Sequence, residues 1–184
     1  GEAVYENPLP IDELAALERE ADALDHPIVY MKKDHMVANR KNHPIVESCI
    51  HTLQVDLPTY NPNGHQEGKT YQAMVFCKEE EEKIYLEKHN NFDYVRWHEY
   101  SMDVLAGGVN KATAIRKLVE HLGLNMNEVY AFGDALNDIE MMQMAGTGVA
   151  MGNADQEVKE VADIVTRSVD DNGIEHGLKQ LGLI

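Results

Sequence analysis

From Gly107 to the end, the chain alternates short apolar runs with amphipathic ones at a spacing that few architectures accept. Val129–Phe132, Gly148–Met151 and Ile164–Thr166 are apolar runs of strand length, and the stretches at 112–122, 139–145, 157–162 and 173–181 carry apolar residues at helical intervals. Strands and helices taking turns in this way predict a mainly parallel sheet covered by helices, an α/β core. Ala112, Ile115, Leu118, Val119 and Leu122 share one helix face, and Gly123 stands where a left-handed residue would close that helix.

The preceding hundred residues have another texture. Ile11, Leu14, Leu17, Ala21 and Leu24 predict a helix over 11–24, stopped by His26-Pro27. Two short strands follow at 28–31 and 36–38, a helix at 44–53, a loop over 56–69 punctuated by Pro58, Pro62 and Gly64, a strand at 71–77, a charged helix at 79–89 and strands at 94–97 and 102–105. Ala3–Tyr5 reads as a strand-like opening. Strands joined by short turns with occasional helices make this part α+β, so a domain junction is placed at Ala106-Gly107-Gly108.

Composition removes several classes of function. Sixteen Lys and Arg against 32 Asp and Glu give a formal net charge of −16, with acidic excess in both parts, so nucleic acid and anionic lipid are repelled overall. No apolar run reaches the roughly 18 to 20 residues needed to cross a bilayer, and the opening residues carry no basic or greasy stretch. Cys49 and Cys77 are the only cysteines, too few for a disulfide framework and lacking zinc-ligand spacing, which suits a reducing cytoplasm.

Chemistry concentrates in Gly133-Asp134-Ala135-Leu136-Asn137-Asp138, between an apolar strand and a helix. In a parallel sheet that turn lies at the carboxyl edge, where ligands bind. Asp134 and Asp138 in one turn can approach a single cation, and hard oxygen donors suit Mg2+; Asn137 beside them can donate to a phosphate oxygen. The same residues also fit an ordinary helix start, with Asn137 as cap and Asp138 complementing the dipole. Lys111 begins a helix, where a cation gains nothing from the macrodipole, and that misfit points to an anionic ligand unless the side chain is simply solvated. Asn153, in Met151-Gly152-Asn153-Ala154 after the next strand, reads as a cap or turn residue.

Three stretches, Gly107-Gly-Val-Asn-Lys-Ala-Thr-Ala-Ile, Val129-Tyr-Ala-Phe-Gly-Asp-Ala-Leu-Asn-Asp and Gly146-Thr-Gly-Val-Ala-Met-Gly-Asn-Ala, match in order and spacing the C-terminal part of Cof-type sugar phosphatases. The chain therefore resembles the haloacid dehalogenase-like superfamily. The resemblance implies a Rossmann-like core, partial here, with an inserted α+β cap: residues 1–9 as a core remnant, 10–106 as the cap, less sharply matched, and 107–184 as the C-terminal part of the core. It further implies Mg2+-dependent hydrolysis of a small phosphomonoester, often a sugar phosphate, through a phosphoaspartate. On that reading Asp134 ligates Mg2+, Asp138 assists it or holds a nearby network, Lys111 neutralises the phosphate and orients the nucleophile, and Asn137 helps hold the phosphate. A phosphomutase or phosphotransferase of the same superfamily, and a non-catalytic phosphate-binding module, are the alternatives.

The sequence departs from the family's pattern at one point. No aspartate here is followed two positions later by another, so the Asp-x-Asp-Gly motif that supplies nucleophile and general acid is absent, as is the Ser/Thr motif expected before the cap. The 184 residues are accordingly read as a fragment without the N-terminal part of the core, inactive as they stand, because nothing is positioned to attack phosphorus. A missing central strand would leave Val129–Phe132 at an open edge, to be paired by another chain or a further segment, or mobile. Of nine histidines none has metal-ligand spacing. His98 and Glu99 are candidates for a substrate cleft or else for a packing or surface role, Trp97, Tyr94 and Tyr100 are assigned to core or cap surface, and Met141, Met142 and Met144 to helix packing.

Overall fold

Successive side chains of a strand point to opposite faces, and in Ile28–Met31 (β1) both faces are apolar, so this strand must be covered on each side. It is. The computed structural model describes residues 3–184 and divides into two compact units, one of residues 7–108, the other of residues 109–184 with 3–6.

In the first unit β1 lies inside a six-stranded sheet of order β3-β2-β1-β4-β6-β5, formed with Met36–Ala38 (β2), Thr59–Tyr60 (β3), Gln72–Val75 (β4), Phe92–His98 (β5) and Ser101–Ala106 (β6). All pairings are antiparallel except that of β2 with β3. One face carries Ile28, Tyr30, Ala73, Val75, Met102 and Val104 and is sealed by Leu14, Leu17 and Ala21 of Ile11–Ala23 (α1) and by Tyr85 of Lys83–Lys88 (α3). On the other, Val29, Ala38 and Met74 pack against Val46, Cys49 and Ile50 of Pro44–Thr52 (α2).

Three expectations are corrected here. The helix over 79–89 is a 3-10 turn, Glu79–Glu81, followed by α3, because the Glu81 carboxylate turns back to accept from the Lys78 N–H at 2.9 Å and tightens the first turn. The loop over 56–69 contains β3 and a 3-10 turn, since Val37↔Thr59 pairing gives its backbone a ladder. Ala3–Tyr5 forms no strand: Val4 and Tyr5 are exposed, and among the described residues no neighbour completes a ladder. The core remnant expected over 1–9 includes Gly1 and Glu2, which lie outside the described residues; the boundaries of the two units fall at 6/7 and 108/109.

The second unit is built on three parallel strands in the order Tyr130–Gly133 (β7), Thr147–Ala150 (β8) and Ile164–Val165 (β9), with Tyr130↔Thr147, Gly133↔Ala150 and Val149↔Ile164 in register. Lys111–Leu122 (α4), Ile139–Met144 (α5), Gln156–Val161 (α6) and Gly173–Gln180 (α7) accompany them. Ala131, Met142, Ala150, Ala154 and Val158 form its core, with Met141 against it, so these two methionines pack as expected, while Met144 is half-buried with its sulfur 3.5 Å from Arg116. β7 ends one residue later than the sequence suggests, which makes Gly133 its last member.

Helix α4 is framed by its own ends. Asn110 Oδ1 accepts from the Thr113 N–H at 2.9 Å, and Gly123 closes the helix at φ 66°. A Cβ at 123 would meet nothing within 4 Å, so only the left-handed conformation penalises a side chain there. Gly123→Ala is expected to cost about 1 kcal/mol, and Gly123→Asn clearly less, in urea unfolding; an alanine variant as stable as the parent would contradict this.

Candidate active site

In a parallel sheet the loops leaving adjacent strands emerge side by side at the carboxyl edge. Gly133 ends β7 there, and the turn that follows is held by its own last residue. Asp138, at the end of the 3-10 turn Leu136–Asp138, folds its carboxylate back so that Oδ2 accepts from the N–H groups of Asp134 and Ala135 at 3.0 and 3.2 Å. The side chain is buried, with the residue 5% exposed. Gly133 is what allows this: a Cβ on it would sit 2.5 Å from Asp138 Cβ and 2.9 Å from Met142 Sδ.

The other carboxylate oxygen meets Lys111. Its Nζ donates to Asp138 Oδ1 at 2.5 Å, although the two residues are 27 positions apart. Thus the lysine misplaced at the start of α4 has an anionic partner within the chain. Its side chain nonetheless remains 49% exposed, and an ammonium has three protons to give, so Asp138 does not exhaust it. Burial by itself would raise the Asp138 pKa, but the Lys111 hydrogen bond and the two backbone N–H groups outweigh it and hold the carboxyl below the usual aspartate range.

Asp134 differs from Asp138 in its surroundings. It is exposed, its backbone carbonyl accepts from the Asp155 N–H at 3.1 Å, and its Oδ2 accepts from Asn153 Nδ2 at 3.1 Å. Asn153 in turn accepts at Oδ1 from the Val169 N–H at 2.9 Å. The cap of α6 is Asp155; Asn153 is a turn residue, one of the two roles expected of it, and its side chain also bridges the acidic turn to the loop after β9. The sequence did carry a signal for this, since Asn153 follows the strand adjacent to β7 in a parallel pair. Asn137 lies exposed on the same turn, and its side chain makes no hydrogen bond among the described residues.

The structure therefore brings Lys111, Asp134, Asn137 and Asp138 to one edge and adds Asn153. With both oxygens of Asp138 engaged by donors, this residue is the anchor of the turn, and Asp134 is the carboxylate presented to solvent. Among the described residues no group of three or more His, Cys, Asp or Glu forms a metal cage. A single hard carboxylate beside an ammonium fits Mg2+, which keeps several waters and takes phosphate oxygens into its shell; it does not fit zinc.

Of the two residues of the first unit considered for a cleft, His98 is engaged within its own unit, whereas Glu99 has an exposed side chain and only its backbone carbonyl accepts a bond. His98 Nδ1 accepts from the Tyr100 N–H at 3.2 Å and lies 3.3 Å from Cys49 Sγ, and Arg96 donates to the carbonyls of Cys77, His98 and Glu99, pinning the hairpin. Trp97 and Tyr100 pack on one core and Tyr94 on the other. His98 is thus half-buried and held through Nδ1 by its own unit.

A family model described as haloacid dehalogenase-like hydrolase matches residues 1–178. YkrA of Bacillus subtilis (strain 168), which carries a phosphatase name, is 44% identical over 183 residues, covering 100% of this chain and 71% of YkrA. The 5-amino-6-(5-phospho-D-ribitylamino)uracil phosphatase YcsE of the same organism is 45% identical over 93 residues, 50% of this chain and 36% of YcsE. Among solved structures, a hypothetical protein from Geobacillus kaustophilus HTA426 superposes with a TM-score of 0.96 at 46% identity, covering 100% of this chain and 72% of that one. The subclass IIB sugar phosphatase BT4131 gives 0.78 at 29% identity, over 100% and 71% of the two chains.

Proposed function

We infer, from the premise that this chain belongs to the haloacid dehalogenase-like hydrolases, that it contributes the cation and phosphate side of a phosphomonoester hydrolase. Residues 107–184 are read as the C-terminal part of the catalytic core and 10–106 as the cap. The carrying observation is that Lys111 and the Asp134 turn share one carboxylate, Asp138.

Asp134 is the residue to hold Mg2+, which when bound supplies charge neutralisation for phosphate oxygens. Asp138 fixes the turn and aims Lys111, whose remaining protons face a phosphate oxygen or an attacking carboxylate. Asn137 donates a further hydrogen bond. The phosphoaspartate of the family needs an aspartate that the Asp-x-Asp-Gly motif provides, and the motif does not occur in these 184 residues. Similarity to BT4131 supports a sugar phosphate as the substrate class. The charge of −16 favours a small substrate over nucleic acid, no helix among the described residues is long and apolar enough to cross a membrane, and two free buried cysteines suit the cytoplasm. Among the described residues β7 pairs only with β8, so its other edge is open to a strand from another chain or segment.

The 184-residue chain is expected to release no phosphate from para-nitrophenyl phosphate with Mg2+. A longer form carrying Asp-x-Asp-Gly is expected to do so, and to lose the Mg2+-dependent rate on Asp134→Ala. Turnover by the 184 residues that survives Asp134→Ala would overturn the reading. Phosphoryl transfer to a sugar in place of water would identify a phosphotransferase, and a longer form that binds phosphate without turnover would identify a binding module.

A further inference from the structure

We propose that Asn153 is a positioning residue that selects which oxygen of Asp134 is offered to a divalent cation, an inference that rests on the reading of Asp134 as the metal ligand. The main chain at Asp134 is fixed on both sides, its N–H by Asp138 Oδ2 and its carbonyl by the Asp155 N–H. What stays free is rotation of the exposed carboxylate. Asn153 removes that freedom by donating from Nδ2 to Oδ2, leaving Oδ1 as the oxygen without a protein donor.

The amide of an asparagine can face either way, and here its orientation is imposed from behind. The Val169 N–H needs an acceptor, so the carbonyl end of Asn153 turns to Val169 and the NH2 end to Asp134. Close packing fixes the distance between the two loops: a Cβ on Gly152 would lie 2.6 Å from the Ser168 nitrogen and 2.7 Å from the Arg167 carbonyl carbon. The donor is also chemically suited to the task. A lysine or arginine at 153 would neutralise Asp134 and compete with a cation, whereas a neutral amide orients the carboxylate and leaves its charge intact.

Hydrogen-bonding partners of metal-ligating side chains are typically worth 10- to 100-fold in metal affinity, so Asn153→Ala is expected to weaken Mn2+ binding to this chain by about that factor, read by electron paramagnetic resonance titration. The metal-free unfolding midpoint is expected to change little, because the bond is on the surface. Val169→Pro is the second variant. It deletes the N–H that turns Asn153, and Ser168 at φ −68°, ψ 163° already has the backbone that a residue before proline requires, at the first position of a 3-10 turn that tolerates it. Its Mn2+ affinity should fall in the same direction, and it decides the matter if Asn153→Ala fails to fold. Unchanged affinity in both variants, with binding abolished by Asp134→Ala, would overturn the role of Asn153 alone. Absence of saturable Mn2+ binding, or binding indifferent to Asp134→Ala, would overturn the assignment of Asp134 beneath it.

Discussion

Gly133→Ala is expected to destabilise the second unit by about 1–3 kcal/mol, toward the upper end, because the added methyl group lands on buried atoms that have nowhere to go. It would approach Asp138 Cβ at 2.5 Å, Asp138 Cγ and Met142 Sδ at 2.9 Å, in a core where Met142 is fully buried. Relief requires Asp138 to move outward, and that movement breaks its bonds to the Asp134 and Ala135 N–H groups and to Lys111. The variant should therefore show faster hydrogen exchange at those two amides together with weaker Mn2+ binding. Gly123→Ala, where the methyl group meets open space, is the control: it should lose stability without touching the turn. Unaltered exchange at Asp134 and Ala135 in Gly133→Ala would show that the glycine does not hold the site.

Asp138→Ala is expected to cost about 3 kcal/mol, chiefly by leaving two backbone N–H groups that now donate to a charged acceptor without it. Lys111 adds less, since its half-exposed side chain can turn to water once its partner is gone. Asp138→Asn should fall between, retaining an oxygen for the amides but placing an NH2 group toward the ammonium. The pH dependence has a definite sign. The Asp138 carboxyl titrates lower in the folded chain than in the unfolded one, so its contribution is complete above the ordinary aspartate pKa and is lost as pH falls through the depressed value. Unfolding midpoints of the parent should decline on acidification over that range, and the Asp138→Asn variant should decline less. Equal slopes for the two would contradict the pairing of Lys111 with Asp138.

The sequence foretold the ends of α4, the parallel direction of the last three strands and the grouping of Asp134, Asn137 and Asp138 in one turn, because each of these is written in residues close along the chain. Helical and strand periodicities, a glycine at a left-handed cap and a turn between strand and helix are local facts. Lys111 stood out as locally misplaced, and the misplacement had a cause. Its partner, however, lies 27 residues away, and nothing in the spacing distinguishes Asp138 as anchor from Asp134 as the exposed carboxylate.

By itself, then, the sequence determined which residue types gather at the carboxyl edge of a parallel sheet and which chemistry they suit. Tertiary structure decided their division of labour. Two aspartates of one turn are separated by what packs around them: one sealed beneath Gly133 with three donors, the other exposed and hydrogen-bonded by an asparagine 19 residues further on. Register between β7 and β8, and close approach between the loops beyond them, set those contacts, and both arise from many weak interactions acting together rather than from any local pattern.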